Sequence, residues 1–395
     1  MSAICGIVDM NKRSTDFGVL RSMGRAMVLR GADQSGAYVN GGVGLLCNRM
    51  ILGESEQARQ PHTVTRGGKN FTVCFDGELD GMRSEGGEYR YLDYSSDAEM
   101  ALEYYLSFGN GCFSRLRGDF ALAICDEYRG EVLLARSEGS SRPLYFSWDG
   151  GRLVFASEIK GMLCAMPWEV RISSEALKTH LFSPAGTCTG GQIYSDIEEL
   201  PIGSCAVFSR LGMSAFEISA VAAERADIGS FGDIIVPSHV EQKSASELRY
   251  SLAEALVAFD YPQFDHGMIA FVDALKDARA KQKRTVRISD GTCAAHSRYS
   301  SERADRLGGF CGVRVYSVPS EEDCAKSAKH LKRLDKALDG ELERTNIPLL
   351  ERIYGSDVVE RVRGERDIAA RIRQKGMLCQ SVMWAEHSGR AMVFC

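Results

Sequence analysis

Leu144-Tyr145-Phe146-Ser147-Trp148-Asp149-Gly150-Gly151-Arg152-Leu153-Val154-Phe155-Ala156 contains two short apolar and aromatic runs separated by a glycine-rich turn. That pattern predicts a β-hairpin. Working outward, further strand-like runs lie at Ile4 to Val8, Gly42 to Cys47, Phe71 to Phe75, Asp119 to Asp126 and Glu131 to Arg136. A helix is predicted over Ala98 to Phe108, with Ser96 and Glu99 in capping-box spacing at its start and Gly109 at its end. A second helix is expected over Ser174 to Leu181. Many short strands with few helices pack most simply as two facing antiparallel sheets with helices outside them.

Beyond residue 245 the periodicity becomes helical, at Ser246 to Phe259, Met268 to Lys281, Ser320 to Leu338 and Asp357 to Glu386. Val286 to Ile288 and Val313 to Val318 read as buried strands between helices, the order of an α/β sheet. A tract rich in Ala, Ser, Gly, Asp and Glu separates the two patterns. The expected organisation is therefore a first domain over 1–215, a linker over 216–245 and a second domain over 246–395. A length of 395 residues suits two cores.

Hydrophobic residues at 44% and charged residues at 26% are the balance of a globular chain. A net charge of -5 provides no electrostatic footprint for nucleic acid or an anionic membrane. No apolar run has the length of a signal peptide core or a membrane helix, so the expected location is the cytoplasm. The 13 cysteines show no CxxC pair and no histidines at ligand spacing, which reads as reduced thiols and no metal site.

Eight short motifs follow one another in order: Cys5-Gly6-Ile7-Val8, Arg30-Gly31-Ala32-Asp33, Gly44 to Ile51, Phe75-Asp76-Gly77-Glu78-Leu79, Ser96-Asp97-Ala98-Glu99, Arg142-Pro143-Leu144-Tyr145, Phe155 to Lys160 and Gln192 to Pro201. Together they resemble the N-terminal-nucleophile glutaminase of class II glutamine amidotransferases, most closely the asparagine synthetase branch. The resemblance implies an α+β sandwich of αββα layers. It also implies glutamine as substrate, hydrolysed to glutamate and ammonia for amide transfer. In that family a cysteine at the chain terminus attacks the glutamine side-chain amide, with its own α-amine as base.

Carried over by motif, Cys5 is the nucleophile, while Asp76 and Gly77 match the oxyanion hole. Arg49, Asn48, Glu78 and Asp97 match the glutamine-binding residues, Arg49 as the carboxylate clamp and Asp97 as acceptor of the ammonium. A guanidinium suits the clamp because its planar fork makes two parallel charge-assisted hydrogen bonds. Two positions depart from the family. Cys5 has residues before it, so its amine is free only after trimming, and Asp76 stands where the family has an amide donor. Simpler readings are a packed strand cysteine for Cys5, an ion pair for Arg49 and a helix-dipole contact for Asp97.

The second domain resembles, faintly, an ATP-pyrophosphatase-like synthetase domain, a mainly helical α/β remnant. The family's ATP and magnesium would be held at a small-residue loop, whose counterpart here is Ser289-Asp290-Gly291-Thr292-Cys293-Ala294-Ala295, with Ser289 and Gly291 as candidate cofactor contacts. Asp290 adds negative charge where phosphates would lie. Three readings therefore stand: a glutamine amidotransferase that has lost its ligase step, a non-catalytic paralogue binding glutamine or a protein, and a complete asparagine synthetase. The first implies an ammonia-accepting protein or a second copy of the chain as partner.

Overall fold

The computed structural model describes residues 2–11, 13–51, 58–83, 89–90, 94–167, 169–183, 190–218, 234–235, 244–264, 268–283, 285–290, 306–309, 311, 314–319, 328–387 and 391–394. Their contacts divide the chain into two compact units, Met1–Met166 with Glu199–Phe231, and Pro167–Glu198 with Gly232–Cys395. Most of the stretch read as a linker lies outside the described residues. The segment Pro167–Glu198, read from sequence as part of the first domain, is grouped with the second unit.

In chain order the first unit carries β1 (Ser2–Asp9), α1 (Phe17–Ala26), β2 (Gln34–Asn40), β3 (Val43–Arg49), β4 (His62–Arg66), β5 (Lys69–Arg83), β6 (Tyr89–Arg90), α2 (Asp97–Phe108), β7 (Leu116–Asp126), β8 (Glu131–Arg136), β9 (Tyr145–Trp148), β10 (Arg152–Ala156) and α3 (Ile159–Leu163). After the excursion into the second unit, which holds β11 (Glu169–Ile172), α4 (Ser174–Phe182) and α5 (Gly190–Ile193), come β12 (Glu198–Glu199), β13 (Ser204–Ser209) and β14 (Gly212–Glu217). One antiparallel sheet runs β9-β10-β1-β3-β2 and the other β14-β13-β8-β7-β5-β4. Helices α1 and α3 cover the first sheet and α2 the second, so the layers are α, β, β, α.

The β9–β10 hairpin forms as the sequence predicts. Asp149 Oδ1 accepts the N–H groups of Gly151 and Arg152 at 2.9 and 2.7 Å, and Gly150 has φ +92°. The residue with positive φ sits where glycine costs least. At α2, Ser96 caps the Glu99 N–H at 3.2 Å, but the Glu99 carboxylate reaches back to the N–H of Ser95 instead of that of Ser96.

Alternation along the strands fixes what each face sees. Ile4 and Val8 of β1, Leu45 and Cys47 of β3, Cys74 of β5 and Ala121 and Ala123 of β7 share one core between the sheets. The alternate residues of β5, Phe71, Val73 and Phe75, pack with Ala101, Leu102 and Tyr105 of α2 in a second core.

The second unit continues with β15 (Ile234–Ile235), α6 (Ala245–Phe259), α7 (Met268–Ala280), β16 (Thr285–Asp290), β17 (Arg314–Pro319), α8 (Ala328–Leu342), α9 (Ile347–Tyr354), α10 (Val358–Arg363), α11 (Ile368–His387) and β18 (Ala391–Phe394). β15, β16 and β17 form a parallel sheet, as the alternation of strands and helices requires, and β11 pairs in parallel with β18. The single long helix expected over Asp357 to Glu386 is instead two. Gly364 closes α10, and the Asp367 side chain starts α11 by accepting the Ala369 N–H at 2.8 Å. Among the described residues no helix is long and apolar enough to cross a membrane.

Candidate functional site

The start of β1, the end of β3 and the middle of β5 meet in the space between the sheets. Ser2 opens β1 and pairs with Arg49, the last residue of β3. Both project toward the second sheet, because Ser2 shares parity with Ile4 and Arg49 with Cys47, two members of the inter-sheet core. Asp76 of β5 shares parity with Cys74 and faces them from the other sheet.

The contact between the sheets is direct. The Ser2 N–H donates to Asp76 Oδ1 at 2.7 Å. Arg30, in the turn after α1, donates from Nε to the Ser2 carbonyl at 2.8 Å and from Nη2 to Asp76 Oδ2 at 3.0 Å. The Arg30 and Asp76 side chains are both fully buried. Burial alone would raise the Asp76 pKa, but the Arg30 and Arg142 charges and the Ser2 N–H outweigh it and hold the carboxyl below its ordinary value. Asp76 is therefore an anion and an acceptor only. A carboxylate held in this form has no proton to donate to a developing negative charge, so Asp76 at the position matched to the oxyanion hole lacks the donor an amide would supply there.

Cys5 does not stand with Arg49. It pairs with Leu46 on one side and Ala156 on the other, and its parity turns it to the face of the sheet covered by α1 and α3. It is completely buried, and burial, with the neighbouring thiols of Cys47 and Cys164, pushes its pKa far up. The structure therefore places Cys5 in the packed layer under α1 and α3, on the face of β1 turned away from Arg49. The residue beside Arg49 and Asp76 is Ser2, which the motif reading passed over.

Asn48 lies on the same face of β3 as Leu46. Its Nδ2 donates to the Gly24 carbonyl of α1 at 2.7 Å. It fastens α1 to β3 and does not reach the corner occupied by Ser2. Arg49 is buried and donates through Nη1 to Gln34 Oε1 at 2.8 Å and to the Ala58 carbonyl. A substrate carboxylate would compete with those two acceptors.

Gly77 has φ +144°, and a Cβ there would stand 2.1 Å from the Asp119 carbonyl and 2.6 Å from Phe120 Cα. Gly118, opposite Leu79 on β7, is built the same way against Glu78. The pair permits two strands to approach where no side chain fits, which accounts for glycine at 77 apart from any catalytic duty. Half-buried Glu78 lies between Gly77 and Leu79. Asp97, at the first position of α2, accepts the Leu79 N–H at 3.1 Å, tying the helix to the strand that carries Asp76.

In the second unit Ser289 lies in β16, paired with Val318, while Gly291 and the rest of the loop lie outside the described residues. Described cysteines are free thiols, and no group of three or more His, Cys, Asp or Glu residues that could hold a metal ion occurs among the described residues.

A family model for the glutamine amidotransferase domain matches residues 1–217. Asparagine synthetase [glutamine-hydrolyzing] 3 of Bacillus subtilis (strain 168) is 26% identical over 240 residues, which cover 60% of this chain and 39% of the relative. Asparagine synthetase B [glutamine-hydrolyzing] of Escherichia coli (strain K12) is 29% identical over 171 residues, covering 41% of this chain and 30% of the relative. Among solved structures, glutamine phosphoribosylpyrophosphate amidotransferase from B. subtilis, complexed with ADP and GMP, aligns with a TM-score of 0.40 at 14% identity, covering 80% of this chain and 65% of that one. The chain thus spans well under half the length of the asparagine synthetases it matches.

Proposed function

The chain belongs to the glutamine amidotransferase domain family, whose members hydrolyse glutamine for amide transfer, and from that premise we propose that its first unit is an attenuated glutaminase of the asparagine synthetase type. It releases ammonia from glutamine slowly, for an acceptor held by another protein or a second copy of the chain. The observation that carries this reading is the convergence of Ser2, Arg49 and Asp76 in the buried corner between the two sheets. The attenuation follows from Asp76, since the absence of a single oxyanion donor costs on the order of 100- to 1000-fold in rate.

The ligase half of such an enzyme needs ATP with magnesium. The donor set of the corresponding loop does not fit them: Asp290 ends the central strand of the parallel sheet with a carboxylate, and Cys293, Ala294 and Ala295 follow where hydroxyl and acidic groups would serve. No ligase step is therefore assigned, and aspartate-dependent release of pyrophosphate is not expected.

A second reading, a non-catalytic module that keeps the fold for binding, is favoured by the Arg30–Asp76 pair and by the engagement of Arg49 with Gln34 and Ala58. Glutamate production from glutamine by the purified chain, compared with its Asp76→Asn variant, separates the two. Glutamate formed by the parent at a low rate, and by the variant at a higher one, supports the amidotransferase. Folded protein that forms none in either case leaves the binding module.

A further inference from the structure

Residue 2 is a serine, and the geometry around it goes beyond what is needed to start a strand. Its nitrogen lies 2.7 Å from Asp76 Oδ1, its carbonyl is fixed by Arg30 Nε at 2.8 Å, and its backbone is in register with Arg49. Two buried charges therefore bond residue 2 itself, Asp76 from β5 and Arg30 from the turn after α1, and Arg49 is its register partner on β3. Cys5, three positions along the same strand, lies on the opposite face under α1 and α3. A strand offers no conformational route from one face to the other, because moving a residue across requires a register slip that would carry Ile4 and Val8 out of the core with it.

We propose that Ser2, and not Cys5, is the nucleophile of this site, acting in a chain whose first residue is Ser2. This rests on the amidotransferase reading above. The Ser2 nitrogen would then be an α-amine, a base with an ordinary pKa of about 7.7 to 8.0. Ser2 Oγ forms a bond to the side-chain amide carbon of glutamine while its proton passes to that amine. Collapse of the adduct breaks the carbon–nitrogen bond, and the proton leaves with the nitrogen as ammonia. Water then cleaves the ester, yielding glutamate and restoring the hydroxyl. A hydroxyl in place of a thiol is a second source of slowness, independent of Asp76, because a larger share of the serine's proton must be removed as the bond forms.

The experiment uses the full chain released from a cleavable tag so that residue 2 comes first, as parent, Ser2→Ala, Ser2→Cys and Cys5→Ala. Melting curves confirm that each is folded. Glutamate production should be lost in Ser2→Ala and kept in Cys5→Ala. The Ser2→Cys protein, treated with the glutamine analogue 6-diazo-5-oxo-L-norleucine, should gain one adduct, mapped by peptide mass to residue 2 and suppressed by excess glutamine. If the parent forms no glutamate, the functional reading fails, yet the position of the adduct still decides the placement of residue 2. An adduct on Cys5, a folded Ser2→Cys protein without an adduct at residue 2, or loss of turnover in Cys5→Ala would overturn the assignment.

Discussion

Asp76→Asn is the substitution in which the demands of folding and chemistry pull furthest apart. The amide is nearly isosteric with the carboxylate and restores a donor to the inter-sheet corner, so glutamine hydrolysis by a chain starting at Ser2 should rise by about 100-fold. The same change removes the counter-ion of Arg30, whose side chain is fully buried. Breaking a buried pair by neutralising one partner costs about 3–5 kcal/mol. The low end, about 3 kcal/mol, applies here, because the asparagine carbonyl still accepts from Ser2 or Arg30. For a unit of this size each kcal/mol is worth about 2–4 °C, so the melting temperature of the first unit should fall by about 6–12 °C. Initial rates of glutamate formation and a thermal melt, measured on the same sample, test both halves. A folded variant with no gain in rate would refute the account of attenuation. A variant that melts with the parent would show that Asp76 and Arg30 are not the buried pair on which the reasoning rests.

The remaining expectations concern stability and are independent of turnover. Because the Asp76 pKa is depressed in the fold, the stabilisation it confers is fully present above the unfolded carboxylate value of about 3.9 and is lost as pH falls through the lower folded value. The stability difference between parent and Asp76→Asn, from denaturant melts, should thus be flat at neutral pH and shrink only below about pH 4; a difference that disappears near neutrality would contradict this. Asn48→Ala should cost about 1 kcal/mol by removing one of the hydrogen bonds to the Gly24 carbonyl, which keeps the Met27 N–H at 3.1 Å, with glutamate formation per folded molecule unchanged, and a selective rise in KM for glutamine would return Asn48 to the site. In the second unit, Lys375 is buried on α11 and pairs with Asp335 at 2.7 Å and Asp339 at 2.8 Å on α8. Arg371 of α11 also bonds Asp335, at 2.9 Å, so Lys375→Met should destabilise that unit by only about 1–3 kcal/mol in a denaturant melt, and no loss would mean the Lys375 pairs add nothing net to the bridge Arg371 makes.

What the sequence disclosed follows the depth of each element in the fold. The strands at the middle of the sheets, β1, β3, β5, β7, β8 and β10, were visible as apolar runs because they are packed on both faces. β2, β4 and β14 were missed, and each ends the run of its sheet, while β13, interior between β14 and β8, was missed as well. Gln34-Ser35-Gly36-Ala37-Tyr38-Val39-Asn40 carries little apolar signal, as befits a strand with one side open to water. The break at Gly364 was likewise lost in a periodic pattern that continued on both sides of it.

The reading of Cys5 as nucleophile and the proposal for Ser2 rest on different kinds of information. Cys5-Gly6-Ile7 matched the family's opening letters, and a match of letters carries no information about which face of a strand a residue occupies. Parity carries that information, but only once a partner is known. Ile4 and Val8 are buried with Cys74 and Ala123, and from that point Ser2 must face Asp76 while Cys5 cannot. Gly6 gives an independent check on the same assignment, since a Cβ there would strike the Phe155 ring at 2.4 Å and Leu45 at 2.9 Å, both in the inter-sheet core. Even-numbered residues of β1 therefore look into the space between the sheets, and odd-numbered ones away from it. For Cys5 to enter the corner with Arg49, β1 would have to slide by an odd number of residues, driving Gly6 out of the one contact only glycine fits. The place of residue 2 at the corner is thus set by the packing of residues 4, 6 and 8, and not by any property of the serine itself.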